Sequence, residues 1–183
     1  YLKDHPKLVA AHEFVTSHPE SIIAGGVARD VFLNREYKDV DIFMPEPLTR
    51  DASQSLHKLI RDMPSCEVHP CTYMEPGSRY IVGEIDICVL PRGRMLDLDS
   101  FLQSFDMVMS QAWLEPTADG FTVSVTKLFT EFNGRRLLGY YPSLANKSFE
   151  HVRRIQEKFD NYLAVALAEP KDGMLHDGAE YPL

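Results

Sequence analysis

The sequence predicts an α/β protein, and three observations lead there. Short strand-like runs at 22–24, 38–43, 67–73, 80–89, 107–114 and 121–125 are interleaved with helical patterns at 3–17, 28–34 and 51–63. A further amphipathic stretch at 148–168 closes the pattern, so a short helical portion is expected behind the sheet. No internal repeat or low-complexity segment divides the chain.

Taken in order, 3–17 sets Leu8, Ala11, His12 and Val15 at helical spacing, with Asp4 as cap and Pro6 in the first turn. His12 and His18 read as surface or terminal residues of that helix, because nothing is spaced with them as a metal ligand. Ile22, Ile23 and Ala24 form a short buried strand, and Gly25-Gly26 ends it with a turn that lets backbone approach a ligand closely. The helix expected over 28–34 turns Val31 and Phe32 inward and ends at Asn34, and its N-terminus favours an anion over the glycines. In the next strand Val40 and Ile42 enter the core, while Asp39 and Asp41 share the other face. Two carboxylates so placed repel unless a cation lies between them, and carboxylates plus substrate phosphates are what Mg²⁺ takes.

Pro45-Glu46-Pro47 stops that strand. The helix over 51–63 carries Leu56, Leu59, Ile60 and Met63 on its core face, with Asp51 or Ser53 as cap and Arg50, His57, Lys58 and Arg61 on its solvated side. Pro70 confines the strand over 67–73 to an edge or a bulge, and 75–78 is a turn. The run 80–89 reads as one strand with Glu84, Asp86 and Cys88 on one face and Ile85, Ile87 and Val89 on the other. A charge in so apolar a strand is costly unless something pairs with it. Pro91 to Arg94 is a basic turn, Asp97 caps a short helix through Phe101 and Leu102, and Trp113 falls in the core of the strand over 107–114. A short helix over 126–132 stops at Asn133-Gly134, and the tail from Lys171 is polar and mobile.

Composition bounds the function. With 183 residues, 44% hydrophobic and 25% charged, the chain can build one core and a small helical appendage. No apolar run reaches the ~18–20 residues that span a bilayer, so no membrane partner is expected. The first residue is Tyr1, which leaves a removed targeting segment open. Cys66, Cys71 and Cys88 are odd in number and lack Cys-x-x-Cys spacing, which argues against a disulfide framework and a zinc site and fits the cytoplasm. A net charge of −8 argues against tight, non-specific nucleic-acid binding.

Gly25-Gly26-x-x-Arg29-Asp30 followed by Asp39-x-Asp41 resembles the signature of the DNA polymerase β-like nucleotidyltransferase superfamily, in the branch of class II CCA-adding enzymes and bacterial poly(A) polymerases. The resemblance implies a small mixed β-sheet nucleotidyltransferase head flanked by helices. Head and neck would occupy 1–125, a small helical portion 126–170 and the tail 171–183. It implies an enzyme that moves a nucleoside monophosphate from an NTP to an acceptor hydroxyl with two Mg²⁺ ions. Asp39 and Asp41 would bridge the metals. Asp86, as the third carboxylate, would bind the metal nearer the acceptor and favour the acceptor's alkoxide, with Glu84 in its place if the register is slipped. Gly25 and Gly26 would cradle phosphates, Arg29 would neutralise charge and Asp30 would orient the loop.

Ser104 to Ser110 resembles the family's neck motif, with Asp106 matching its aspartate and Ser104 and Phe105 standing where relatives have arginines. Phe149 to Ile155 resembles the base-selecting motif Glu-Asp-x-x-Arg imperfectly: with Arg154 as its arginine the aspartate has become His151, and with Arg153 the glutamate has become Phe149 and the aspartate Glu150. The resemblance implies that Asp106, Arg153 and Arg154 contact the nucleotide. The acceptor is open among an RNA 3′ end, a protein and a small molecule. Against the enzyme stands a nucleotide-binding or interaction protein that kept the head and lost turnover.

Overall fold

The computed structural model describes residues 5–32, 34–71, 77–105, 108–130 and Glu157. Asp106, Arg153, Arg154, the base-selecting segment, the helix expected over 148–168 and the tail lie outside the described residues.

The chain begins with α1 (Pro6–Ser17), whose Leu8, Ala11, Phe14 and Val15 are buried on one side. Its cap position is His5, whose side chain does not cap the first turn, and proline sits in that turn. Then come β1 (Ile22–Ala24), α2 (Gly26–Phe32) and β2 (Val40–Pro45). Asn34 stands at φ 52°, the left-handed stop expected at that helix end. α3 (Arg50–Arg61) is capped by Thr49, whose side chain accepts from the Ala52 N–H at 3.3 Å, rather than by Asp51 or Ser53. Leu56 and Ile60 face the core, but Leu59 is exposed and His57 is turned inward, both contrary to the sequence reading. The chain continues through β3 (Cys66–Pro70), β4 (Ser78–Val82), β5 (Ile85–Leu90), α4 (Leu98–Gln103), β6 (Ala112–Thr117) and β7 (Gly120–Val125). Asp97 caps α4 as expected, accepting from the Ser100 N–H at 3.0 Å.

The seven strands form one mixed sheet in the order β3-β4-β5-β2-β1-β6-β7. β2 and β5 pair in parallel, and every other neighbouring pair is antiparallel. β3, with Pro70 at its end, is an edge strand, where the missing N–H costs no ladder bond. Two departures from the sequence reading shape the site. The run 80–89 is not one strand but part of a hairpin: Val82 pairs with Ile85 across a two-residue loop, with Gly83 at φ 64° and Glu84 beside it. The residues at 108–110 form a 3-10 turn, so β6 starts only at Ala112.

Strand alternation divides the core in two. On one face Val40, Ile42, Met44, Ile87, Val89 and Tyr80 pack with α1, α2 and α3. On the other, Phe43, Cys88, Leu90 and Ala24 pack under Phe101, Leu102 and Phe105, around α4. Trp113 is partly buried against this second core, with its indole N–H on Glu115 at 2.8 Å. Among the described residues no helix is long and apolar enough to cross a membrane.

The inward turn of His57 satisfies Tyr80, whose ring is fully buried. The Tyr80 hydroxyl meets His57 Nδ1, and His57 Nε2 faces Glu46 at 3.1 Å. A buried hydroxyl needs such a partner. Tyr80→Phe should therefore lower stability by about 1 kcal/mol, and Tyr80→Ala by about 3–5 kcal/mol, read as urea midpoints. A Tyr80→Phe protein as stable as wild type would contradict the bond.

Candidate active site

The site forms where β1 ends. Gly25 has φ 89°, a conformation that L side chains rarely adopt, so the turn after β1 requires glycine. Its N–H donates to the Ala112 carbonyl at 3.0 Å, which ties the turn to β6. A Cβ on Gly25 would lie 3.6 Å from the Phe105 ring and 3.9 Å from Asp41 Oδ2, so the turn stands directly over the Asp41 carboxylate. A Cβ on Gly26 would meet Arg29 Nη2 at 3.8 Å. Arg29 is held there by Asp30, through Nε to Oδ1 at 2.8 Å and Nη2 to Oδ2 at 2.9 Å. Asp30 thus positions the Arg29 guanidinium beside the glycine turn.

The second component comes from register. β2 and β5 pair with Asp41 opposite Asp86, so two carboxylates sit side by side on one face of the sheet. Asp86 is only 6% exposed, so its carboxylate is buried in the sheet rather than solvated at an edge. Asp39 precedes β2 and is exposed. It is not brought into a third position, and among the described residues no three His, Cys, Asp or Glu side chains converge as a metal site. Glu84 is excluded as the substitute for Asp86: it lies in the hairpin loop and pairs with Lys7 at 2.8 Å.

The counter-charge to Asp86 is Arg79, which the sequence reading missed. Its Nε donates to Asp86 Oδ1 at 2.9 Å and Oδ2 at 2.7 Å, and Nη2 also donates to Oδ2. The signal was the Gly83-Glu84 pair: read as a two-residue hairpin loop, it sets Arg79 diagonally across from Asp86. Cys88 follows Asp86 on the same face, its sulfur 4.0 Å from Asp86 Oδ1. A hydrogen bond with Cys71 pushes the Cys88 thiol far above the ordinary range, and burial and the charges of Asp86 and Asp41 add to this. Such a thiol stays protonated and inert.

The described part of the chain is therefore an α/β sheet that carries a glycine turn, an arginine and two carboxylates at one end. No protein-family model matches the sequence, and no curated protein matches it. Solved structures do. The chain is similar to a tRNA nucleotidyltransferase complexed with a primer tRNA and an incoming ATP analog, at 18% identity over 66% of this chain and 35% of that one, with a TM-score of 0.43. It is similar to a tRNA-processing enzyme in its apo form 2, at 17% identity over 70% of this chain and 36% of that one, with a TM-score of 0.46. It is also similar to a CCA-adding enzyme in complex with ATP, at 16% identity over 72% of this chain and 31% of that one, with a TM-score of 0.46. The chain spans about a third of the length of each of these proteins.

The cysteines supply a test of the site's packing. Cys71 and Cys88 are buried and Cys66 is half-exposed. Iodoacetamide at pH 8 should label Cys66 alone in the native protein and all three thiols in urea, read by mass spectrometry. Labelling of Cys88 in the native protein would contradict its burial beside the carboxylates.

Proposed function

We propose that this chain is a metal-dependent nucleotidyltransferase that moves a nucleoside monophosphate from an NTP to an acceptor hydroxyl and releases pyrophosphate. The observation that carries this reading is the in-register pairing of Asp41 with Asp86, at the sheet end where the Gly25 turn stands over Asp41.

The donor set fits a hard divalent cation, because Mg²⁺ is held by one or two carboxylates together with substrate phosphates. Asp41 and Asp86 would hold it, and Asp39, exposed just before β2, would serve a second ion only by turning toward that pair. Bound there, the metal supplies charge neutralisation at the reacting phosphate. The chain's own residues supply the rest. Gly25 and Gly26 let backbone come close to the triphosphate, and Arg29, fixed by Asp30, neutralises charge beside them. The acceptor oxygen bonds to the α-phosphorus as the bond to the β-phosphate breaks. Pyrophosphate leaves with the bonding electrons, and the hydroxyl proton passes to solvent on the Asp86 side. Asp106, Arg153 and Arg154 are assigned to the nucleotide on sequence grounds alone.

The acceptor we favour is an RNA 3′ end, held over few phosphates because the chain carries a net charge of −8. A protein or small-molecule hydroxyl is the alternative, and the cytoplasm is the compartment proposed. One observation favours a binding protein without turnover: Asp86 is already neutralised by Arg79.

The experiment incubates the protein with each α-labelled NTP, Mg²⁺ and either short RNA or cell extract. Wild type should transfer label to an acceptor. Asp41→Ala should lose transfer by about a thousandfold or more, since a residue acting directly on developing charge is removed. Equal transfer by the Asp41→Ala protein would overturn the mechanism. Nucleotide binding without transfer to any acceptor would establish the binding protein instead.

A further inference from the structure

The Arg79–Asp86 pair has a geometry that bears on how the site takes up metal, and the inference drawn from it rests on the metal-dependent reading above. The hairpin register sets Ile81 opposite Asp86 and Arg79 opposite Cys88. Residues two apart on a strand share a face, so Arg79 lies on the face of Asp86 and Cys88 and reaches Asp86 diagonally. The guanidinium engages both carboxylate oxygens, Oδ1 at 2.9 Å and Oδ2 at 2.7 Å. The two partners differ in exposure: the Arg79 side chain is 23% exposed and that of Asp86 is 8%. The carboxylate is enclosed, whereas the cation on it has a way out to water.

Charge explains why a cation belongs there. Asp41 and Asp86 are direct neighbours on strands about 5 Å apart. Two like charges at that spacing, partly withdrawn from water, repel each other. Arg79 offsets this repulsion in the absence of metal. A divalent cation would offset it with twice the charge. It would need carboxylate lone pairs that the guanidinium already engages, and a +2 ion beside a +1 group is itself repelled.

We propose that Arg79 is a positioning residue that competes with the divalent cation for Asp86: it holds the carboxylate in the metal-free protein and is displaced from it when metal binds. Metal affinity is then weaker than two adjacent carboxylates would otherwise give, and uptake is favoured when a polyanionic triphosphate arrives to take over the freed guanidinium.

The test measures Mn²⁺ binding to the full chain without nucleotide, from the electron paramagnetic resonance signal of free Mn²⁺. The proteins are wild type, Arg79→Gln, Arg79→Lys, Asp86→Asn and the double variant Arg79→Gln/Asp86→Asn. Arg79→Gln should bind Mn²⁺ about tenfold more tightly than wild type, or better. Arg79→Lys keeps the charge but loses the two-oxygen grip, so it should fall between them, and it stands in if the Gln variant does not fold. Asp86→Asn should bind more weakly than wild type, and the double variant should bind no more tightly than Asp86→Asn. A merely structural role for Arg79 would weaken metal binding on its removal. Equal or weaker binding in both Arg79 variants, with wild type binding normally, overturns the competition alone. Absence of Mn²⁺ binding in all five proteins, both without nucleotide and with a non-hydrolysable NTP added, overturns the metal-dependent reading beneath it.

Discussion

Everything at the candidate site depends on one pairing, the parallel register of β2 with β5 that sets Asp41 against Asp86. Slipping one strand by one residue would turn its apolar set to the wrong face and bury its carboxylate in the larger core. Val40, Ile42 and Met44 on one strand and Ile85, Ile87 and Val89 on the other lock that register by packing with α1, α2 and α3. Hydrophobic alternation thus brings two like charges together, and the local electrostatics must then be relieved. Arg79 does this from β4, and the short hairpin loop at Gly83 gives it the reach.

The second face of the sheet is divided between packing and chemistry. Phe43, Cys88 and Leu90 lie further along the same strands and are covered by Phe101, Leu102 and Phe105. Phe105 also stands beside Gly25, so the apolar cover ends where the glycine turn begins. This boundary keeps the carboxylates in a partly desolvated setting, which strengthens every charge–charge interaction there. It also explains the inert Cys88 thiol, which is enclosed between the apolar cover and the acidic pair. Other polar groups of the head anchor rather than react. His57 satisfies Tyr80, Lys7 pins the hairpin loop through Glu84, and Thr126 accepts from the Phe129 N–H at 3.1 Å to start the next helical turn.

Much of this was legible in the sequence, for identifiable reasons. Gly25-Gly26 after three apolar residues, and alternation through Val40 and Ile42, fix local geometry without help from the rest of the chain. Pro70 announced an edge strand and Asp97 a helix cap by the same local logic. What failed depended on partners far along the chain. An apolar run through 80–89 outweighed Gly83, although that glycine turns the chain back on itself. With the hairpin unread, Arg79 could not be placed on Asp86. His57 looked solvated because its partners Tyr80 and Glu46 come from other elements. Asp39 looked equivalent to Asp41, yet β2 starts one residue after it, so alternation no longer governs its side chain.

Two neighbouring carboxylates are held in place by a cation drawn from the same sheet face. A double-mutant cycle on Arg79→Gln and Asp86→Asn, with unfolding free energies from urea titration in EDTA, tests it most directly. Each single variant should be destabilised and the double variant should recover much of the loss, with a coupling energy of about 2 kcal/mol or more. Additivity within about 0.5 kcal/mol would mean that Arg79 and Asp86 contribute nothing as a pair, and that Arg79 does not hold the carboxylates in place.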